Sequence, residues 1–244
     1  MARTRAQDYD AKRDTILQKA AELFARHGYP GTSISMIADA CGASKALLYH
    51  YYPDKGAVLF DIISTHLDEL VEVVELASAG AQPGERRLES VVTALLEAYR
   101  DADAQHQVQL NNLKLLPDDK QEVLRTKERR LVALFAKAIA EAEPSTGEGP
   151  YLKPLTMSLF GMLNWHYLWF REGRGLSRAD YARLATRLFI AGAKSAVESL
   201  RAGAQVQSSV RPKRATKRTA HSSSPSRLDR VHRPPLPSAK GVAR

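Results

Sequence analysis

The sequence predicts an all-α protein. Apolar residues recur at three- and four-residue spacing along most of the chain, and the strict alternation of a half-buried strand is nearly absent. Clusters of Gly, Pro, Ser and Asp then cut the chain into pieces of helical length. A first helix is expected over about 10–27, with Ile16, Ala20, Leu23 and Phe24 on one face and Gly28 as its stop. "GYPGTS" is a loop, after which Thr32 or Ser33 caps a short helix, "ISMIADAC". Gly42 makes a turn, and Ser44 caps a third helix carrying "KALLYHY". A long fourth helix runs from about Lys55 to Ala77, apolar at Val58, Leu59, Ile62, Ile63, Leu67, Leu70 and Val74. Further helices are expected at about 86–101, 104–115, 118–143, 151–171 and 177–201, which makes about nine.

Composition bounds the function. With 44% hydrophobic residues the chain can bury a real core, and its single cysteine, Cys41, excludes an internal disulfide and a cysteine-built metal cluster. The opening "MARTRAQDYDAKRD" carries no apolar run, so no secretory signal is expected. The longest apolar stretch, 155–170, contains Asn164 and His166 and falls short of the roughly 20 residues a membrane span needs. A soluble cytoplasmic protein without a cofactor or a membrane partner is the expectation.

The net charge of +9 suggests nucleic acid, but it is unevenly placed. Residues 202–244 hold ten Lys and Arg against one acid, Asp229, whereas residues 1–201 are balanced. This segment is rich in Ser and Pro and is expected to be a disordered basic tail. It can add sequence-independent phosphate attraction, and equally suits a merely solubilising extension or a general nucleoid-binding protein. Any specific DNA contact must come from local pattern instead.

That pattern lies in residues 33–55. Two short helices joined at a glycine, the second opened by a capping serine, have the pattern of a helix-turn-helix, and by spacing alone equally that of an ordinary glycine-turned helix pair. The outer face of the second would show Lys45, Ala46, Leu47, Tyr49 and His50. Lysine and tyrosine can hold phosphates, while Ala46 and Leu47 let the helix approach base edges and thymine methyls. The helix starts at Ser33 and Lys55 offer backbone amides to phosphate. Tyr51 and Tyr52 fall in phase with the core and are expected to brace the surface from beneath. Arg3 and Arg5 fit a minor-groove arm.

Residues 16–60 closely resemble the N-terminal domain of the TetR family of bacterial repressors, through "ELFARHGY", "GTS", "IA", "CGASK", "LYHYY" and "DK". The resemblance implies a two-fold dimer on a palindromic double-stranded operator, with Thr32, Ser33, Ser44, Lys45, Tyr49, His50 and Lys55 on DNA. Two positions depart from the family pattern. Ala46-Leu47 stands where Gly-Thr is common, and Tyr52 replaces a common phenylalanine. The domains expected are therefore 1–55 for DNA binding, 56–201 for effector binding and dimerisation, and 202–244 for the tail.

In the eighth predicted helix, "YLKPLTMSLFGMLNWHYLWFREG", apolar side chains surround the axis, as in a helix buried on several sides. Asn164 among Trp165, Trp169 and other aromatics suits an apolar pocket with a few orienting hydrogen bonds, or an ordinary aromatic core. In the last helix Leu188, Phe189, Gly192, Ala193, Ala196 and Leu200 provide a seam for a four-helix homodimer contact. This half resembles the effector domains of TetR-type regulators of acyl-CoA catabolism, nearest those of phenylacetate degradation, through "LNNLKLLPDDKQEVLRTKERRLVALFAKAI" and the asparagine-tryptophan with its aromatic cluster. It implies an acyl-CoA or aryl-CoA effector such as phenylacetyl-CoA, with Leu113, Phe160, Asn164, Trp165, Tyr167 and Trp169 as candidate contacts. An efflux or stress operon answering a different apolar ligand is the alternative. No phosphate-binding loop, HExxH or Gly-x-Ser-x-Gly is present, and His66 with Glu69 on one helix face lacks a third metal ligand, so no enzyme is expected.

Overall fold

The computed structural model describes residues 2–147 and 149–210. The described residues form helices without strands: α1 Ala2–Gly31, α2 Ile34–Ala40, α3 Lys45–Tyr51, α4 Lys55–Gly80 and α5 Glu85–Ala98. They continue with α6 Asp103–Asn112, α7 Asp118–Ala142, α8 Leu152–Asn164, the single turn α9 His166–Trp169, and α10 Arg178–Val210. Short 3-10 turns follow α6 and α7.

Helix ends follow local chemistry. Gly28 adopts φ +73°, a left-handed conformation that costs glycine little, and it breaks α1 before Pro30. Ser33, Ser44 and Asp54 each accept a hydrogen bond from the backbone N–H three residues on, which caps α2, α3 and α4 in turn. α1 is already helical from Ala2, so Arg3 and Arg5 stand on helical backbone. The phase of this extension sets Tyr9 against Tyr51, rings stacked at 4.6 Å.

The interior forms two apolar clusters strung along α4. Ile16, Phe24, Ile37, Leu48, Tyr52, Val58, Leu59 and Ile63 make one, joined by Val108 of α6, Leu116 just after the 3-10 turn, and Leu124 of α7. Leu70, Val74, Leu88, Leu95, Phe135, Ile139, Leu159, Leu163 and Phe189 belong to the other. One helix, α4, thus contributes buried residues to both.

Two differences from the sequence expectation stand out. The helix foreseen over 151–171 breaks at Trp165, beyond which α9 is a separate single turn. The last helix continues to Val210, past the expected limit at 201, because "RAGAQVQ" contains good helix formers and no proline. The remainder of the basic tail, 211–244, lies outside the described residues.

Candidate functional site

Helices α2 and α3 are short and gain their rigidity from caps and from one shared core. Ser33 accepts from the N–H of Met36 at 3.2 Å, and Ser44 from that of Leu47 at 3.1 Å. Gly42 makes the turn at φ +59°, a backbone state that would strain any residue bearing a Cβ. Leu48 is fully buried, which points the opposite side of α3 outward. Lys45, Ala46, Leu47, Tyr49 and His50 all lie on that exposed side together with Ser44. The Lys45 ammonium sits 5.9 Å from the Tyr49 ring centroid, and α3 carries no acidic residue. The surface is therefore locally cationic without the tail.

Two residues named from the family pattern are placed differently. Thr32 is 2% exposed, and its hydroxyl donates to the carbonyls of Gly28 (3.0 Å) and Leu23 (3.2 Å). It closes the end of α1, so the hydroxyl cannot also face DNA. The Lys55 ammonium donates to the carbonyls of Tyr29 (2.6 Å) and Thr32 (2.8 Å) and lies 4.3 Å from the Tyr29 ring centroid. Lys55 thus fastens the α1–α2 loop to α4, and only its backbone remains available at the helix start. Ser33 is exposed.

Tyr52 lies beneath the surface, as its phase predicts, and there joins a polar network with Asp61 and Arg13 that the sequence did not disclose. The Tyr52 hydroxyl donates to Asp61 at 2.6 Å, and Arg13 grips the same carboxylate through Nε (3.0 Å) and a terminal nitrogen (2.8 Å). Burial, then the bond to Asp61, pushes the Tyr52 hydroxyl far above its ordinary pKa. This explains the tyrosine found where phenylalanine is common: its hydroxyl ties α3 to α4 and α1. The signal that would have found it is three polar residues on three faces that all turn inward, which no single-helix periodicity exposes.

The six candidate effector residues do not converge on one cavity. Phe160 and Asn164 do line a cavity of about 230 Å³ with Leu70, Tyr99, Leu131 and Met157. Tyr99 donates to Asn164 Oδ1 at 3.0 Å, and Phe160 packs on Phe135 with ring centroids 4.7 Å apart. Gln109 reaches the same cavity, donating to Glu128 at 3.1 Å while its buried Oε1 has no partner. Tyr167 is half-buried, edge-on to His106 at 5.7 Å, whereas Leu113 packs against the N-terminal cluster. Trp165 and Trp169 are each 56% exposed, turned outward by the break after α8. Trp169 borders a separate surface cavity of about 310 Å³ with Arg171, Arg174 and Tyr181.

Of the candidate seam, Leu188 and Leu200 are more than half exposed, and Gly192 and Ala196 also face solvent. Phe189 and Ala193 instead belong to the chain's own core, one helical step round from the outward face. Leu184 on α10 and Met157 and Leu168 on α8 and α9 are further exposed apolar residues.

Sequence reasoning also missed a buried polar group behind the cavity. His106 Nε2–H donates to the Asn164 backbone carbonyl at 3.2 Å, and its ring centroid lies 4.1 Å from that of Tyr99. His166 accepts from Arg178 at 2.9 Å, and Arg178 also donates to the Leu96 carbonyl and to Glu172. Burial holds His66 down to about 3 and His106 and His166 down to about 4, with nearby His106, His166 and Arg178, respectively, adding repulsion. All three imidazoles are neutral near pH 7.

Residues 16–62 match the family model for bacterial regulatory proteins of the tetR family, and residues 81–193 match the Tetracyclin repressor-like C-terminal domain. The crystal structure of a TetR-family transcriptional regulator from Bordetella parapertussis 12822 is 37% identical, with a TM-score of 0.69 over 73% of this chain and 93% of that one. The chain belongs to the TetR family. Its members are DNA-binding transcription regulators rather than enzymes. AibR, crystallised with isovaleryl coenzyme A and operator DNA, is 25% identical to this regulator, with a TM-score of 0.64 over 73% of this chain and 98% of that one. The transcriptional activator FasR of Mycolicibacterium smegmatis is 31% identical over 88 residues, 36% of this chain and 40% of FasR. The match therefore spans less than half the length of that curated relative. No helix among the described residues is long and apolar enough to cross a membrane.

Proposed function

We propose that this regulator is a repressor that binds a palindromic operator as a homodimer and is released by an acyl-CoA or aryl-CoA thioester, such as phenylacetyl-CoA, so controlling a catabolic operon. The observation that carries the DNA half is the outward face of α3, where Lys45, Ala46, Leu47, Tyr49 and His50 stand free above a core closed by Leu48. Ser44 joins this reading face by its exposed position, and Ser33 and Lys55 contribute backbone amides at the helix starts, which Thr32 holds in place from within. A single short helix discriminates weakly, so two copies are needed, reading half-sites one helical turn apart. The exposed Leu188, Gly192, Ala196 and Leu200 of α10 provide the seam, with Leu184 beside them. Residues 1–55 then serve as the reading domain and 56–201 as the effector and dimer domain.

The effector half rests on the cavity at Phe160 and Asn164. It is mainly apolar, with the Tyr99–Asn164 pair fixed at one side and an unpartnered acceptor at Gln109. A thioester's acyl group fits the apolar part, and an amide N–H of the pantetheine arm can meet Gln109. AibR, with its isovaleryl coenzyme A, supports the same ligand class. Because Leu70 of α4 lines the cavity, an occupant can shift α4 and change the spacing of the two α3 helices. Release follows only if the thioester binds the DNA-incompetent state more tightly.

Titrating acyl-CoA and aryl-CoA thioesters into a complex with the DNA upstream of the regulator's own coding sequence tests this. Release at micromolar thioester is expected, and Phe160→Trp, which occupies part of the cavity, should raise the concentration required at least tenfold. An undisturbed complex at saturating thioester would remove the acyl-CoA reading.

A further inference from the structure

The lining of the Phe160–Asn164 cavity is graded from open to closed. Leu110 of α6 and Met157 of α8 are 42% and 51% exposed, which marks the mouth. Leu70, Tyr99, Leu131 and Phe160 are each at most 6% exposed and form the deep part. Behind Phe160 stands the fully buried Phe135, ring centroids 4.7 Å apart, so close-packed core backs the deep end. Half-buried Gln109 and Glu128, joined at 3.1 Å, lie between these extremes of exposure. The Gln109 Oε1 is buried without a partner, which calls for an occupant bearing a donor at that level.

At roughly 30 Å³ for each water-sized group, a volume of about 230 Å³ holds about eight carbon atoms. We propose that this cavity sets an upper length on the effector's acyl chain, at about eight carbons, and that Phe160 is the residue that sets it. The inference rests on the thioester reading for the ligand's head, whereas the length limit comes from the cavity alone. Phenylacetyl and octanoyl groups reach this size. A longer chain must push its thioester past Gln109 and Leu110 into water, which leaves the Gln109 acceptor unmet, or else crowd the packed deep end. Phe160 is the wall that decides, because one side of its ring bounds the cavity while Phe135 supports the other. The effector class therefore narrows to short-chain, medium-chain and aryl thioesters, and acyl groups of membrane-lipid length are excluded.

Calorimetric titration of the full chain with two series of probes tests the limit. One is acyl-CoA from acetyl to dodecanoyl, kept below micellar concentration and accompanied by phenylacetyl-CoA. The other is unbranched alkanols from butanol to dodecanol, which carry the chain without thioester or nucleotide. In both, affinity is expected to rise about three- to fourfold per methylene up to about eight carbons and then to stop rising. Dodecanoyl-CoA should bind at least tenfold more weakly than octanoyl-CoA. F160L, with its smaller side chain, should move the limit up by roughly two carbons, whereas M157L at the mouth should leave it in place. The parent's own two series decide the limit whether or not F160L folds. Alkanols that obey the limit while every thioester fails to bind would uphold it and remove the thioester. Affinity climbing steadily to the longest chain in either series, no binding in both, or an unmoved limit in folded F160L would overturn the proposal.

Discussion

Lowering the pH from 7 to 5 is expected to reduce the regulator's Tm by roughly 10 °C, with most of the loss between 6.5 and 5. The cause is His66 and His106, both at most 2% exposed and held neutral down to about 3 and 4 in the folded chain. In the unfolded chain each takes up a proton near pH 6.5. Between those values the unfolded state binds more protons, so stability is present above pH 6.5 and is lost as pH falls towards the folded values. The slope is about 1.4 kcal/mol per pH unit for each histidine. His166, beside the Arg178 guanidinium, shifts in the same direction. The carboxyls of Glu69 and Asp103 are raised by burial and act oppositely, offsetting part of this loss. Melting curves at half-unit pH intervals check the slope. His66→Leu should flatten it by about one histidine's share, and a profile flat from pH 7 to 5 would contradict the neutral, buried imidazoles.

Leu48→Ala is expected to destabilise the reading domain by about 2–5 kcal/mol, whereas Leu47→Ala changes stability by no more than about 0.5 kcal/mol. The two residues are neighbours on α3, yet Leu48 is fully buried and Leu47 is 38% exposed. Leu48 fills the space between α1, α2 and α4, beside Ile16, Phe24, Ile37 and Tyr52, and a truncation there leaves a cavity that a seven-residue helix cannot close by shifting. DNA binding should fall with Leu48→Ala although no outward atom has changed. With Leu47→Ala, affinity should persist and base preference should change, because this side chain faces where thymine methyls would lie. Denaturant unfolding of both variants, paired with retention of upstream DNA, separates the two roles. Equal stability losses would mean that α3 is rotated from the orientation described.

Much of the fold was legible because its signals are local. Gly28, Ser33, Gly42 and Ser44 mark turns and caps through backbone conformation and hydrogen bonds within a few residues. The phase of Leu48, Tyr49 and His50 then divides α3 into an inner and an outer face. What stayed hidden depends on residues far apart in sequence. Tyr52, Asp61 and Arg13 meet only after α1 crosses α4, and Lys55 looks like a phosphate ligand until the carbonyls of Tyr29 and Thr32 are found beside it. The break at Trp165 contains neither Gly nor Pro, and it leaves outward two tryptophans whose aromatic company suited a pocket or an ordinary core. His66, His106 and His166 come from three helices, so their cluster has no sequence spacing to read.

The most direct test of the reading surface is the affinity of the parent and of the double variant Lys45→Ala/Tyr49→Phe for labelled upstream DNA, in excess non-specific competitor and at several salt concentrations. Lys45 and Tyr49 are exposed and neither belongs to the buried core, so the variant should fold as the parent does. The parent is expected to form a saturable complex with two chains per site. In the variant, affinity should drop at least tenfold and the log–log salt slope should fall by about 2, because the Lys45 ammonium of each chain no longer neutralises a phosphate. Unchanged affinity and slope in the double variant would contradict the assignment of α3 as the DNA-reading helix.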